Sequence, residues 1–259
     1  MNILEKIVLK KREWVAEQKA KIPLEIIMQG SDYRRTIFSL LEKIRFSNDI
    51  AIISEFKRKS PSKGNIFEQA DVVQVTTAYQ KAGASAISIL TDHEFFGGAD
   101  QDLIDARTHL SVPILRKDFI IDEYQIHESK ALGADIILLI AACLSTDEVK
   151  LFSELAKSIG LEVLLELHDV EELGHVCSTV DFVGINNRSL KTFDVDIQRS
   201  LAMAAAIPDS FCKVAESGIN DPEQIRLFKS NGFEAFLIGE YFMKTHQPGV
   251  ALEKFIQQI

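Results

Sequence analysis

An alternation constrains this chain more than any other feature; it starts at residue 49 and runs to the last residue. Eight short runs rich in Val, Ile, Leu and Ala fall at 50–56, 86–91, 113–118, 135–141, 161–167, 181–186, 212–217 and 235–239. Stretches of helical spacing separate them, at 69–82, 101–109, 122–132, 146–159, 170–177, 196–206, 222–230 and 249–259. The joints repeat too. Gly83, Gly133, Gly160 and Gly232 each stand where a helix should end, just before a strand, the place where a left-handed residue closes the last turn. Asp221-Pro222 supplies an N-cap followed by proline at the first helical position. Near-continuous aliphatic strands are buried on both faces, as parallel strands are. Eight such units predict a closed (β/α)₈ TIM barrel of the α/β class. A doubly wound open sheet is the alternative, but no G-x-G-x-x-G follows the first strand.

Residues 1–48 hold no strand. Ile3, Leu4, Ile7, Val8, Trp14 and Val15 keep helical spacing, Pro23 breaks it, and a second helical stretch covers 34–43. The apolar stripe and Trp14 need a partner surface, so this segment is expected to dock on the barrel as a helical extension of a single domain spanning 1–259. With 46% hydrophobic and 26% charged residues the chain has a sizeable core. A net charge of −9 argues against nucleic acid, and no apolar run approaches the roughly 18 residues of a bilayer span. The N-terminus lacks the apolar core of a signal peptide. Cys143, Cys177 and Cys212 are single and odd in number, which fits small core residues in a reducing compartment; the cytoplasm is the expected address. The six histidines show no metal-ligand spacing, and His168 is read as the start of a helix. No metal, no cofactor and no nucleophilic triad are expected, and the chain is expected to be a monomer or weak homo-oligomer.

In a barrel the C-terminal strand ends face one pocket, so they can be read as its lining. They are Ser54-Glu55-Phe56-Lys57-Arg58-Lys59-Ser60, Arg116-Lys117-Asp118-Phe119, Leu165-Glu166-Leu167-His168, Ile185-Asn186-Asn187-Arg188, Ala215-Glu216-Ser217-Gly218 and Ile238-Gly239-Glu240. Alternation points Glu55, Lys57, Lys117, Glu166, Asn186 and Glu216 into the mouth. Salt bridges closing the core could account for one pair. Five charged residues from four separate segments are harder to explain structurally, because each buried ion costs several kcal/mol of desolvation. Side-by-side carboxylates and ammoniums instead suit proton transfer. Ser217-Gly218 and Gly239-Glu240 fall where barrels commonly bind phosphate, although glycine after a strand is also ordinary turn chemistry. With Lys57, Lys117 and Arg188 beside them, they point to a small substrate carrying a phosphate and a second anionic group.

These residues also form motifs in a fixed order. Glu55-Phe56-Lys57-Arg58-Lys59-Ser60-Pro61-Ser62, Phe95-Phe96-Gly97-Gly98, Leu115-Arg116-Lys117-Asp118-Phe119-Ile120, Leu164-Leu165-Glu166, Gly184-Ile185-Asn186-Asn187-Arg188 and Ala215-Glu216-Ser217-Gly218-Ile219 resemble the indole-3-glycerol-phosphate synthase family of tryptophan biosynthesis over nearly the whole chain. The resemblance implies conversion of 1-(2-carboxyphenylamino)-1-deoxyribulose 5-phosphate into indole-3-glycerol phosphate, CO₂ and water. It implies that Lys117 is the general acid on the ribulose carbonyl, and that Glu166 and Lys57 serve the later proton transfers. Glu55, Asn186, Arg188 and Glu216 would orient substrate and tune the lysines. Ser60, Ser217, Gly218, Gly239 and Glu240 would hold phosphate, the last two through their backbone. Phe96, Phe119 and Leu138 would wall the anthranilate ring. Two residues depart from the family pattern: Ala99, where serine is common, and Glu240, where a small hydroxyl residue is frequent.

Two other readings stand beside this one. In a class I aldolase-like barrel Lys117 would form a Schiff base; in a non-catalytic phosphate sensor the acid-base set would be superfluous. The sequence also predicts two proton affinities. Glu166, ending an apolar strand, should have a raised pKa, and Lys117, near Lys57 and buried, a lowered one.

Overall fold

The eight runs are strands, and they close on one another. The computed structural model describes residues 2–47, 49–61, 63–189 and 194–259; Ser62 of the first motif lies outside them. Strands β1 (Ala51–Phe56), β2 (Ala86–Leu90), β3 (Ile114–Lys117), β4 (Ile136–Ile140), β5 (Glu162–Leu167), β6 (Phe182–Asn186), β7 (Cys212–Glu216) and β8 (Phe233–Ile238) pair in chain order, all parallel. β1 closes the ring, with Ala51 opposite Ala235 of β8 and Ile53 opposite Ala86 of β2.

Nine helices of seven residues or more accompany the barrel among the described residues: α1 (Ile3–Lys21), α2 (Leu40–Phe46), α3 (Val72–Lys81), α4 (Asp100–Arg107), α5 (Glu123–Leu132), α6 (Thr146–Ser158), α7 (Ile197–Ala206), α8 (Pro222–Lys229) and α9 (Pro248–Ile256). Capping explains most of the starts. Asp71, Asp122, Ser145, Asp196 and Asp221 each accept a hydrogen bond from a backbone N–H of the first turn. Gly83, Gly133, Gly160 and Gly232 all have φ between +76° and +100°, the left-handed closure expected of them. The crossover after β5 differs from expectation: it is a 3₁₀ helix, Val170–His175, in place of an α-helix over 170–177.

The pleat divides the strands into two apolar layers. Ala51, Ile53, Leu115, Leu138, Leu164 and Val214 fill the barrel interior, while Ile52, Ile87, Ile137, Leu165 and Phe236 face the helices. Leu40 of α2, buried, joins the interior layer from below. Glu162 at the start of β5 holds that plug: its carboxylate accepts from the amides of Leu40 (3.0 Å) and Leu41 (3.3 Å) and from the Ser39 hydroxyl. The helix expected over 34–43 is therefore displaced. A 3₁₀ turn covers Ser31–Arg34, and α2 starts only after Ser39 caps it. Asp135 holds the intervening chain extended, taking Arg35 at 2.8 Å and the Phe38 amide at 2.9 Å.

The N-terminal helix docks at the opposite end. Lys11 of α1 is buried between Asp118 (2.7 Å) and Asp92 (3.0 Å), and Ile3, Leu4 and Ile7 reach the mouth. Asp118 also accepts from Thr91 Oγ1 at 2.6 Å, and Arg116, fully buried, pairs with Glu128 and Asp100 at 2.8 Å each. Arg116 and Asp118 thus lock the outward side of β3, and Lys117 between them is mounted on a rigid support, pointing inward.

Candidate active site

The inward row of each strand ends in the residues singled out by alternation. Above Ile53 comes Glu55, above Leu115 comes Lys117, above Leu164 comes Glu166, above Gly184 comes Asn186, and above Val214 comes Glu216. These side chains form the floor of a cavity of about 590 Å³ at the C-terminal mouth. Lys57, Ser60, Phe96, Phe119, Leu138, Arg188, Ser217, Gly218, Gly239 and Glu240 line it too, so every sequence-chosen residue lies on one cavity.

At the centre, Lys117 Nζ stands 2.7 Å from Glu166 Oε2 and 3.5 Å from Glu216 Oε2. Asn186 Nδ2 donates to Glu166 Oε1 at 3.2 Å, and Asn186 Oδ1 in turn accepts from the Arg188 amide at 3.0 Å. Glu216 lies directly over Gly184, where a Cβ would collide with its carboxylate. Glu55 uses Gly239 in the same way and forms a close ion pair with Lys57. Lys57 is therefore engaged by Glu55 and is not the neighbour that tunes Lys117.

Both expected proton affinities are reversed. Burial alone would lower the Lys117 pKa, but the carboxylates of Glu166, Glu216 and Glu55 outweigh it and hold the ammonium well above its ordinary value. Burial likewise opposes the charged form of Glu166, yet Lys117 and His168 prevail and keep its carboxyl well below the usual range. The raised carboxyl is Glu216, which burial and then the negative charge of Glu166 push well above 4.5. An apolar strand predicted desolvation correctly; the sequence could not show which carboxylate an ammonium would reach first.

The rim carries a sharp turn, a small hairpin and several charged side chains. Ser217 is the one non-glycine residue with positive φ among those described (+66°), and Gly218 follows at +71°, so the chain turns sharply at the end of β7. Asn187, fully buried, fixes that turn by donating from Nδ2 to the Ser217 carbonyl at 2.8 Å. Ser60 sits in a small hairpin, Lys59–Ser60 against Gly64–Asn65. Glu240 lies against cations: Oε1 is 2.6 Å from Lys244 and Oε2 3.5 Å from Arg188. Burial disfavours its charge, but Lys244 and Arg188 hold its pKa below the ordinary value. On the apolar side, the Phe96 and Phe119 rings face each other with centroids 6.0 Å apart.

Sequence reasoning missed several contributors. Asn187 stands in a motif that gives it no role; Lys244 comes from a segment remote in sequence, and the apolar stripe of α1 predicts docking but not at which end of the barrel. His168 is no helix start: it follows Glu166 by two residues and lines the same cavity, a signal the alternation itself contains. Among the described residues no three His, Cys, Asp or Glu side chains are arranged to hold a metal ion. Among the described residues no helix is long and apolar enough to cross a membrane.

Three comparisons bear on this site. The family model described as indole-3-glycerol phosphate synthase matches residues 4–255. An indole-3-glycerol phosphate synthase of Bacteroides thetaiotaomicron is 46% identical over 258 residues, covering 100% of this chain and 99% of its own. Among solved structures, the tryptophan synthase alpha subunit of Legionella pneumophila superposes with a TM-score of 0.61 at 14% identity, covering 85% of this chain and 97% of its own. Thiamine phosphate pyrophosphorylase of Pyrococcus furiosus does so with 0.60 at 15% identity, covering 81% and 96%. At such identities the two structures speak for the barrel alone.

Proposed function

The chain belongs to the indole-3-glycerol phosphate synthase family, and from that premise we propose how its own residues divide the reaction. The enzyme closes the pyrrole ring of 1-(2-carboxyphenylamino)-1-deoxyribulose 5-phosphate, releasing CO₂ and water. The observation that carries the assignment of roles is the triad of Lys117 between Glu166 and Glu216, one ammonium touching two carboxyls of opposite proton affinity.

In the first step the ring carbon bearing the carboxylate attacks the ribulose carbonyl. Lys117 donates a hydrogen bond to the carbonyl oxygen and transfers its proton as the alkoxide develops. An alkoxide is more basic than any lysine, so a raised pKa does not prevent that transfer. It guarantees instead that the free enzyme holds the ammonium form. Loss of CO₂ restores the aromatic ring and leaves a hydroxyl on the former carbonyl carbon. In the last step the methylene carbon beside nitrogen loses a proton and the hydroxyl leaves as water. Glu166, anionic, is the base; Lys57, held by Glu55, protonates the departing hydroxyl. Glu216, kept neutral, cannot serve as that base and instead orients Lys117.

Phosphate lies at the Ser217-Gly218 turn and at Gly239, with Ser60 and Arg188 adjoining, and the anthranilate ring lies against Phe96, Phe119 and Leu138. Incubation with the carboxyphenylamino-deoxyribulose phosphate tests this reading. Indole absorbance and one CO₂ per turnover are expected; an intact substrate with saturable binding would leave only the phosphate-sensor alternative.

A further inference from the structure

We propose that His168 is a positioning residue for Glu166, its imidazole holding that carboxylate between Lys117 and the reacting carbon. The inference rests on the assignment of Glu166 as the base and adds a residue that assignment does not use.

The geometry begins with the strand. Glu162, Leu164 and Glu166 occupy the inward row of β5, and His168, two residues on, lines the same cavity with its side chain 5% exposed. Its Nε2 is 3.0 Å from Glu166 Oε1. Its backbone is fixed as well, since the His168 amide donates to Glu172 Oε2 at 2.6 Å and pins the turn that leaves β5. Neither ring nitrogen completes a hydrogen bond of good geometry with any described group. An unsatisfied buried polar group is costly, and an apolar side chain in the same wall would avoid that cost. What offsets the cost is the facing carboxylate.

Glu166 is thus held from three strands. Lys117 of β3 takes Oε2, while Asn186 of β6 and His168 at the end of β5 share Oε1. The other titratable groups facing Glu166 are Glu216 of β7 and Cys143 after β4, both of which burial keeps in their neutral forms. Without His168, Oε1 keeps only a neutral amide at 3.2 Å, and the carboxylate is free to turn toward Lys117 and away from substrate. At 3.0 Å a small rotation of the ring is enough to aim Nε2 at Oε1, and no proton need leave the ring.

The test compares H168A and H168Q in the full chain, each alone and combined with E166Q, by steady-state kinetics across pH. The amide nitrogen of glutamine can stand where Nε2 stands. H168A should lower kcat roughly 10–100-fold, the range for removing a polar group that faces a buried charge. KM should change less than about threefold, because the phosphate turn is untouched. The acid limb of the kcat profile should move to higher pH, since Glu166 loses a stabiliser of its anionic form. H168Q should recover most of the rate. In the E166Q background H168A should cause no further loss. Wild-type kcat and acid limb in H168A, with E166Q impaired, would overturn the proposal alone. So would a loss of equal size in the E166Q background. Wild-type kcat in E166Q would overturn the assignment of Glu166 itself, and this inference with it. If H168A fails to fold, the same contrast is read between H168Q and H168M.

Discussion

The ammonium of Lys117 lies 2.7 Å from Glu166 and 3.5 Å from Glu216, and this difference in distance separates two otherwise similar glutamates. The nearer carboxylate is stabilised as an anion. Burial, and then the charge of that anion, raise the affinity of the farther one for its proton. Two carboxyls with opposed proton affinities are a common arrangement for acid-base work, and substitution should tell them apart.

Glu166→Gln keeps the shape of the side chain and removes the base. A fall in kcat of roughly 10²–10⁴ is expected, the usual contribution of general acid-base catalysis. KM should change little. Steady-state kinetics on the purified variant checks this, and a kcat within a factor of two of wild type would take Glu166 out of the mechanism.

Glu216→Gln should be far milder, because glutamine resembles the neutral carboxyl already present. We expect kcat within about tenfold of wild type, far short of a general-base loss. Stability carries a sign of its own. Glu216 keeps its proton to higher pH in the fold than in the unfolded chain, whose glutamate pKa is about 4.3. Between the two values the folded state binds more protons, so wild-type stability falls as pH rises through that window. Glutamine removes this loss. Melting curves should therefore show E216Q gaining on wild type as pH rises above about 4.3, by roughly 2–4 °C for each kcal/mol. A gap that narrows instead would mean Glu216 is ionised.

The two rim glycines should separate binding from chemistry. At Gly218, φ is +71° and a Cβ would strike Val195; Gly218→Ala strains the phosphate turn by about 1–2 kcal/mol and should raise KM about tenfold with kcat nearly kept. At Gly239 the added Cβ meets Glu55, so Gly239→Ala should lower kcat too, through the Glu55–Lys57 pair. Inorganic phosphate should compete with substrate in the wild type. Product formation measured against both concentrations tests all three statements, and no inhibition by phosphate would mean the anion site is elsewhere.

Much of this was legible in the sequence because a barrel repeats one rule eight times. Alternation along β1, β3, β5, β6 and β7 was enough to put Glu55, Lys117, Glu166, Asn186 and Glu216 in one mouth. What alternation cannot show is distance across the barrel. Whether Lys117 meets Lys57 or Glu166 depends on strand register and on Glu55 claiming Lys57, and both expected pKa directions reversed for that reason. The misplaced second helix has a related cause. Residues 35–39 have helical spacing, but Asp135, a hundred residues away, draws Arg35 and the Phe38 amide into an extended path.

Ala99 marks a local rule left unused. It is the N-cap of α4 in extended conformation (φ −152°, ψ 150°) with no side-chain cap, and Asp100 and Asp102 follow in the first turn. A serine there can accept from a first-turn amide, and such caps are worth about 0.5–2 kcal/mol. Ala99→Ser should raise the melting temperature by a few degrees, at roughly 2–4 °C per kcal/mol, with kcat unchanged. Calorimetry on the purified pair checks this; an unchanged melting temperature would mean that the first turn of α4 is already satisfied.

The remaining alternative makes Lys117 a nucleophile, and chemical trapping separates it from an acid. Schiff-base formation needs a neutral amine. Here the amine lies 2.7 Å from the Glu166 carboxylate, and the charge of Glu55 adds to it, both favouring the ammonium. A substrate ketone would have to displace that proton in a site built to keep it. Lys117→Met should abolish turnover under either mechanism and so decides nothing. Borohydride present during turnover does decide, because it reduces an imine and fixes the substrate carbon skeleton to the protein. The expected outcome is full activity after the reagent is removed and no mass added to the peptide carrying Lys117. A substrate-dependent adduct on that peptide would show the lysine attacking carbon, and the proton-transfer roles assigned to Lys117 and Glu166 would have to be given up together.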